Sequence, residues 1–303
     1  MKYLVFDISN LLYATFFAHK QETDETLAGL AMHTALMTLN KYFRQFKPDK
    51  VVMAFDRSSW RKEYTASEKC VSKRPYKGNR RQNMTPTEQA KYERFCEHLN
   101  DFEHLITEHT SIITLAGKGL EADDLIGGFV QSRQEDEIII VSSDHDFLQL
   151  LKFDNVTLFS PKTGKRRDLS EYHDDPKYYL YLKAIRGDLQ GDHIQSALPK
   201  IRETQVYEAF QDPYKHEEMM RRVWKTPKGD KEFRVRDLFE ENMILIDLEK
   251  QPPEIREAIQ QTIDEELARK KRYSFFHMLK FLKRYELEKI TQSLEVFEPL
   301  LSR

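Results

Sequence analysis

Three short runs, YLVFD (3–7), KVVMAFD (50–56) and EIIIV (137–141), are apolar almost without interruption until an acid ends the first two. A strand with one wet face alternates; an unbroken run rich in Val, Ile and Phe suits a sheet covered on both faces. SIITLA (111–116) and NVTLF (155–159) are weaker runs of the same kind. Helical patterns lie between them. DETLAGLAMHTALMTLNKYFRQF (24–46) sets Leu27, Leu30, Leu36, Leu39 and Phe43 along one face and stops before Pro48. TPTEQAKYERFCEHLNDFEHLI (85–106) opens on a Thr85-x-x-Glu88 capping box with Pro86 at the first helical position, and its stripe runs through Tyr92, Phe95, Leu99, Phe102 and Ile106. DDLIGGFVQSR (123–133) predicts a shorter helix. Strands alternating with helices predict an α/β fold with a largely parallel central sheet and flanking helices. From about residue 170 the patterns are helical. The expected division is an α/β core over 1–168 and a helical C-terminal region over 169–303.

The 303 residues, 40% hydrophobic and 32% charged, suffice for a real core, and no run approaches the length of a membrane span. Cys70 and Cys96 alone cannot build a disulfide framework, and no Cys/His spacing suits zinc. A soluble protein of a reducing cytoplasm is expected, and MKYLVFDIS reads as a first strand rather than a leader. The formal charge of −2 is unevenly spread. From Arg57 to Arg81 there are nine Lys/Arg against Glu63 and Glu68, and two further basic stretches, 221–236 and 269–284, also contain aromatics. Basic stretches are usually solvated faces; three with interleaved aromatics raise the case for a polyanion partner. Segment 57–84 has no clean period, which marks a mobile excursion or a functional loop.

The acids are the second constraint. Asp7 and Asp56 end the first two strands, EADD (121–124) follows the third, and Asp144 and Asp146 follow the fourth. In an open parallel sheet the loops past the carboxyl ends form the ligand crevice. Any one of these acids is most simply a turn or cap residue: Asp144 could cap FLQLL, and Asp123 or Asp124 could support the next helix. All four connections delivering carboxylates to one rim is harder to explain that way, because like charges repel unless cations intervene. Oxygen ligands without His or Cys select Mg²⁺ or Mn²⁺. Asp188 and Asp192 in LKAIRGDLQGDHI (182–194) would share a face on a helical turn, although a Gly-Asp turn explains them equally well. With them the acids suit a two-metal site. Without these nine acids the formal charge becomes +7.

The motifs LVFDISNLL, VVMAFDRSSWRKEY, YKGNR, EADDLI, IIIVSSDHDFLQL, IRGDLQGD and ENMILIDLEKQPPEI, in that order, resemble the flap endonuclease superfamily of 5′ nucleases, most closely its ribonuclease H branch from T-even-type bacteriophages. The resemblance covers roughly residues 2 to 258. It implies a PIN-like fold with a helical arch over 57–98, and a C-terminal region that completes the metal site and binds duplex DNA. It implies two Mg²⁺ or Mn²⁺ ions, the first held by Asp7, Asp56, Glu121, Asp123 and Asp144 and the second approached by Asp146, Asp188 and Asp192, with Asp124 behind them. It implies that Lys77 and Arg80 contact the scissile phosphate; phosphate positioning without a part in the chemical step is the alternative. Tyr76 is a candidate for stacking on a base, with Lys73, Arg74 and Arg81 as further nucleic-acid contacts.

Three positions depart from the family pattern. His145 stands where the family has Gly, as a supporting donor or substrate contact that could crowd the second ion. The late Asp pair is four apart rather than three, and His193 follows it in place of Asn. QSALPKIRETQ (195–205) replaces a Gly-rich duplex-binding turn, which leaves Lys200, Arg202 and the basic stretch 221–236 for duplex contacts. The expected activity is 5′→3′ exonuclease and flap cleavage of DNA flaps, nicks or RNA primers during replication, by a monomer in the cytoplasm, of a host cell if phage-encoded. Expected partners are branched or nicked DNA, RNA–DNA hybrids and replication proteins such as a single-strand binding protein and a sliding clamp, although engagement of a clamp through an N-terminal tail is not expected. No membrane is involved. The competing reading is a branched-DNA binding protein with impaired second-metal chemistry; a phosphatase using the DHD loop leaves the other acids and the basic segment unexplained.

Overall fold

The five apolar runs pair into one parallel sheet of β1 (Lys2–Asp7), β2 (Lys50–Ala54), β3 (Ile113–Leu115), β4 (Glu137–Val141) and β5 (Val156–Phe159), in the order β3-β2-β1-β4-β5. The computed structural model describes residues 1–79, 84–227, 229 and 231–303. Because β1 pairs with both β2 and β4, successive strands build outward in opposite directions from it. A crevice opens at the carboxyl end of such a reversal.

α1 (Ile8–Ala18) leaves β1 directly, α2 (Asp24–Phe46) precedes β2, and α3 (Trp60–Ala66) and α4 (Pro86–His109) lie between β2 and β3. α5 (Ala122–Gln131) joins β3 to β4, and a 3-10 helix (Asp146–Lys152) joins β4 to β5. Beyond β5 come α6 (Pro176–Arg186), α7 (Glu203–Gln211), α8 (Pro213–Met220), an antiparallel hairpin of β6 (Val223–Lys225) and β7 (Glu232–Arg234), and α9 (Val235–Ile246). The chain ends with α10 (Pro253–Ala268), α11 (Phe275–Arg284), α12 (Glu288–Gln292) and α13 (Leu294–Leu301).

Strand residues divide by parity. Leu4, Phe6, Met53 and Val141 face one core with α1, α2, α4 and α11–α13, whereas Tyr3, Val5, Val52 and Ile140 face another with α5 and α10. Both faces are therefore dry, as the unbroken runs require. α2 has the expected bounds, ending at Lys47 in a left-handed cap one residue before Pro48. α4 begins on the expected capping box: Thr85 Oγ1 accepts from the Glu88 N–H (3.3 Å) while Glu88 Oε2 accepts from the Thr85 N–H (2.9 Å). Thr85→Ala should cost about 1 kcal/mol in denaturant unfolding, the usual worth of a lost N-cap.

Two expectations change. The helical region is not one body: α6–α9 share a core of their own, built on Tyr178, Tyr181, Ile185, Val206 and Leu238, whereas α10–α13 return to the two faces of the sheet. The basic stretch 221–236, in a region expected to be helical, contains the β6–β7 hairpin, with Phe233 buried and Trp224 Nε1 donating to the Ala197 carbonyl (2.8 Å).

Candidate metal centre

Asp7 closes β1 and caps α1, accepting from the Asn10 N–H (3.1 Å) and from the Ser142 hydroxyl (2.9 Å). Asp56, just past β2, accepts from the Ala122 N–H at the start of α5 (2.8 Å), and its own N–H donates to Ser9 Oγ (2.9 Å). Past β4, Ser142 Oγ accepts from the Asp144 N–H (3.0 Å), and Asp144 Oδ1 accepts from the Asp146 N–H (2.8 Å) as the 3-10 helix opens. Asp7 thus caps α1, whereas Asp144 does not cap the 3-10 helix, whose N-cap is His145, but closes a turn onto Asp146; these bonds fix both carboxylates on the rim. A cleft there is lined by Asp144, His145, Asp146, Lys183, Asp188 and Asp192.

The charges on this rim are poorly compensated. Asp7 is only 7% exposed, and burial, then repulsion from Asp56 and Asp144, pushes its carboxyl up to about 8. Burial also raises Asp123, with Asp124 and Glu121 adding to the shift against the pull of Arg61. Burial raises Asp144, with Asp192 repelling it and Lys183 opposing. Carboxylates that resist ionisation together on one rim suit bound cations, and oxygen-only donors fit hard divalent ions.

Within EADD the roles separate. Glu121, Asp123 and Asp124 lie close enough together to hold an ion, but Arg61 already occupies part of that space. Its guanidinium donates to Asp124 Oδ1 (2.9 Å), Asp124 Oδ2 (3.0 Å) and Glu121 Oε2 (3.0 Å), and its Nε donates to the Leu245 carbonyl (2.7 Å). Asp124 is fully buried and also accepts from Trp60 Nε1 (3.2 Å) and Gln251 Nε2 (2.9 Å). Its carboxylate packs α3 against α5 through Arg61 and Trp60. Glu121 accepts from Ser59 Oγ (2.5 Å) and pairs with Lys77. Burial opposes its ionisation, yet Lys77 and Arg61 outweigh that and pull its pKa down to about 2. Asp123, at 3.8 Å from Arg61, keeps most of its coordination capacity.

Opposite EADD, Lys183 and Tyr179 on successive turns of α6 reach Asp146, the lysine as an ion pair and the phenol at 3.5 Å. Burial lowers the Lys183 pKa against the pull of Asp192, Asp144 and Asp188. Asp188 and Asp192 do not lie on a helical turn. α6 ends at Gly187 (φ 64°), and the loop beyond it is closed by paired bonds between Asp188 and Ile194 (3.0 and 2.9 Å). A Cβ at Gly187 would meet the Ile194 carbonyl oxygen at 2.6 Å, so only glycine allows this closure. Both carboxylates still reach the cleft. His145 is exposed at its mouth.

The basic segment divides as well. Lys77 lies on the rim, between Glu121 and Asp192 (3.8 Å). Tyr76 is placed differently from the expected stacking platform: it is 4% exposed, packs with Ile194, Leu245 and Ile246, and donates its hydroxyl to Asp192 (3.0 Å). Arg74 NH1 donates to His193 Nε2 (3.1 Å), and Lys73 turns back onto the carbonyls of Ser67 (3.2 Å) and Glu68 (3.0 Å). Arg80 and Arg81 lie outside the described residues. Lys200 and Arg202 are exposed ahead of α7. The third basic stretch sits at the other end of the sheet, where Lys271 donates to the Ile112 carbonyl (2.5 Å) and Thr114 Oγ1 (2.9 Å), so it takes no part in the rim. Among the described residues no helix is long and apolar enough to cross a membrane.

Sequence reading missed Arg61, Lys183, Ser142 and Glu241, the last accepting from the N–H groups of Val71 and Ser72 (3.2 Å) to hold down the basic segment. The only cue was position: Arg61 follows Asp56 by five residues and Lys183 precedes Asp188 by five.

Comparison with known proteins agrees with this arrangement. Residues 2–176 match the model of the 5′-3′ exonuclease N-terminal resolvase-like domain. DNA polymerase I of Caldicellulosiruptor bescii is 32% identical over 157 residues, 50% of this chain and 16% of that protein. A 5′-3′ exonuclease of Buchnera aphidicola is 29% identical over 207 residues, 65% of this chain and 66% of that one. The chain thus spans less than two thirds of these relatives' lengths. The bacteriophage T5 flap endonuclease, in a pseudo-enzyme-product complex with DNA and metal ions, superposes with a TM-score of 0.63 at 23% identity, covering 88% of this chain and 98% of that one. The T5 5′-exonuclease with bound zinc superposes at 0.62 with 22% identity and the same coverage. The fold is therefore shared with these T5 proteins, and the chain belongs to the 5′-3′ exonuclease family.

Proposed function

We propose that this chain is a divalent-metal-dependent 5′ nuclease that hydrolyses phosphodiesters of branched or nicked DNA and of RNA primers, leaving 5′-phosphate and 3′-hydroxyl ends. The observation that carries the reading is the rim itself: carboxylates from every strand connection around β1, several of them buried and resisting ionisation, beside a basic segment. Asp7, Asp56, Asp123 and Asp144, with Glu121 once Lys77 releases it, would hold a first Mg²⁺ or Mn²⁺; Asp146, Asp188 and Asp192 would hold a second. Bound there, the ions would supply a nucleophile from water at neutral pH and neutralise charge on the phosphoryl oxygens.

The protein's own part is positioning and charge. Lys77 stands 3.8 Å from Asp192 and in contact with Glu121, so when an ion draws Glu121 away the ammonium remains on the rim beside Asp192, where a phosphate would enter. Lys77→Ala should lower kcat about 10²–10³-fold, the usual loss on removing a preorganised donor. A fall confined to KM would leave Lys77 a binding contact only. Lys73, Arg74, Arg81, Lys200 and Arg202 would be further contacts for nucleic acid, Arg80 would serve with Lys77 at the scissile phosphate, and the chain would work as a monomer in the cytoplasm beside replication proteins.

Lys183 on Asp146 favours a second reading, a branched-DNA binding protein whose second ion is replaced by an ammonium. The readings part on 5′-labelled flap, nicked and RNA–DNA substrates in Mg²⁺, Mn²⁺ or EDTA, using wild type and Asp146→Asn. Metal-dependent cutting by wild type that Asp146→Asn loses supports the nuclease. Tight binding to branched DNA without cutting in either metal overturns it.

A further inference from the structure

The loop bearing Asp188 and Asp192 is fastened to the base of the basic segment by several hydrogen bonds besides the packing of Tyr76 on Ile194. The Lys77 N–H donates to the Asp192 carbonyl (2.9 Å), and the Tyr76 hydroxyl donates to the Asp192 carboxylate (3.0 Å). Asn79 Nδ2 lies 3.3 Å from the carbonyls of both Leu189 and Gln190. His193 bridges the two segments by both ring nitrogens: Nδ1 lies 3.0 Å from the Pro75 carbonyl and Nε2 lies 3.1 Å from Arg74 NH1. A carbonyl only accepts and a guanidinium only donates, so the ring is the neutral Nδ1–H tautomer. The backbone of His193 is left-handed (φ 65°), a conformation that Asn also tolerates. An asparagine there could keep the turn, but its shorter amide could not span Pro75 and Arg74 together.

We infer that His193 is a positioning residue: by clamping the Asp188–Ile194 loop to Arg74 and Pro75, it sets the place of Asp192 and makes uptake of the second divalent ion depend on the base of the basic segment. The inference rests on the two-ion reading of the rim. It accounts for the longer spacing of the late pair, since the extra residue is taken up in a loop that the ring pins from outside.

The test is Mn²⁺ binding followed by electron paramagnetic resonance, without substrate, on wild type, His193→Asn, Arg74→Ala and the double variant. Wild type should bind two ions. Each single variant should keep the first at unchanged affinity and weaken the second about tenfold, the usual cost of losing a partner that orients a ligand. The double variant should be no worse than His193→Asn alone, because the bond that Arg74→Ala removes is one of the two that His193→Asn already loses. Circular dichroism melting of each variant shows whether it has folded. Wild type with two ions and folded variants of unchanged second-site affinity would overturn this inference alone, as would additive losses in the double variant. Wild type lacking a second ion would overturn the two-ion reading and this inference with it.

Discussion

Asp7→Asn should raise the melting temperature of the metal-free protein at pH 8 while lowering cleavage by about 10³-fold or more. The two effects have one cause. Asp7 is nearly buried on β1 with Asp56 and Asp144 beside it, and its carboxyl is raised from 3.8 to about 8. A raised acid pKa means that its contribution to stability is complete below about pH 4 and is lost as pH rises through about 8. Above that range the native state must hold a buried charge against its neighbours; the unfolded chain need not. Asparagine removes the charge and keeps Oδ1 for the Asn10 bond, while its amide nitrogen can donate to Ser142 Oγ once that hydroxyl turns to accept. The gain should be near zero at pH 4, grow towards pH 8, and shrink when Mg²⁺ is added to both proteins. Cleavage falls because a lost ligand forfeits several kcal/mol of charge stabilisation, and each ~1.4 kcal/mol is tenfold in rate. Scanning calorimetry at pH 4 and 8, with and without Mg²⁺, reads the first effect; flap cleavage reads the second. A variant less stable than wild type at pH 8 would contradict the account of the rim as a strained, cation-requiring site.

The second large effect lies at Arg61. Arg61→Met should destabilise the protein by about 3–5 kcal/mol, because it strips a buried charge of its partner rather than removing the pair. Arg61 is 1% exposed and serves Asp124, Glu121 and the Leu245 carbonyl at once, joining α3, α5 and α9. Methionine fills the volume but leaves Asp124 and Glu121 without their guanidinium. Arg61→Lys should recover only part of the loss, since a point ammonium cannot reproduce the fork. Denaturant unfolding of the three proteins measures this. A loss under about 1 kcal/mol for Arg61→Met would mean the pair behaves as an exposed one.

Much of this site was legible because its determinants are local. An acid ending an apolar run lies at the carboxyl end of a strand whichever neighbours that strand takes, so Asp7, Asp56, Glu121 and Asp144 fell on one rim once the sheet was read as parallel. Thr85, Pro86 and Glu88 fixed the start of α4 in the same local way. What stayed hidden depends on contacts distant in sequence. Nothing within 57–81 tells Arg61, which is buried under Leu245, from Lys62, which is exposed. Tyr76 among cations read as a base platform, but Ile194, Leu245 and Ile246 close over it. The Asp188–Asp192 spacing suited a helical turn and a Gly-Asp turn equally, and the choice between them rests on Gly187, which ends α6 before the pair begins. The return of α10–α13 to the sheet is likewise set by packing, since an amphipathic helix does not name its partner.

The most direct test of the central claim is anomalous diffraction from crystals soaked in Mn²⁺. Two manganese peaks should appear on the rim, one among Asp7, Asp56, Asp123 and Asp144 and one near Asp146, Asp188 and Asp192, with Lys183 drawn away from Asp146. A rim without manganese, with Lys77 still on Glu121 and Lys183 still on Asp146, would contradict it.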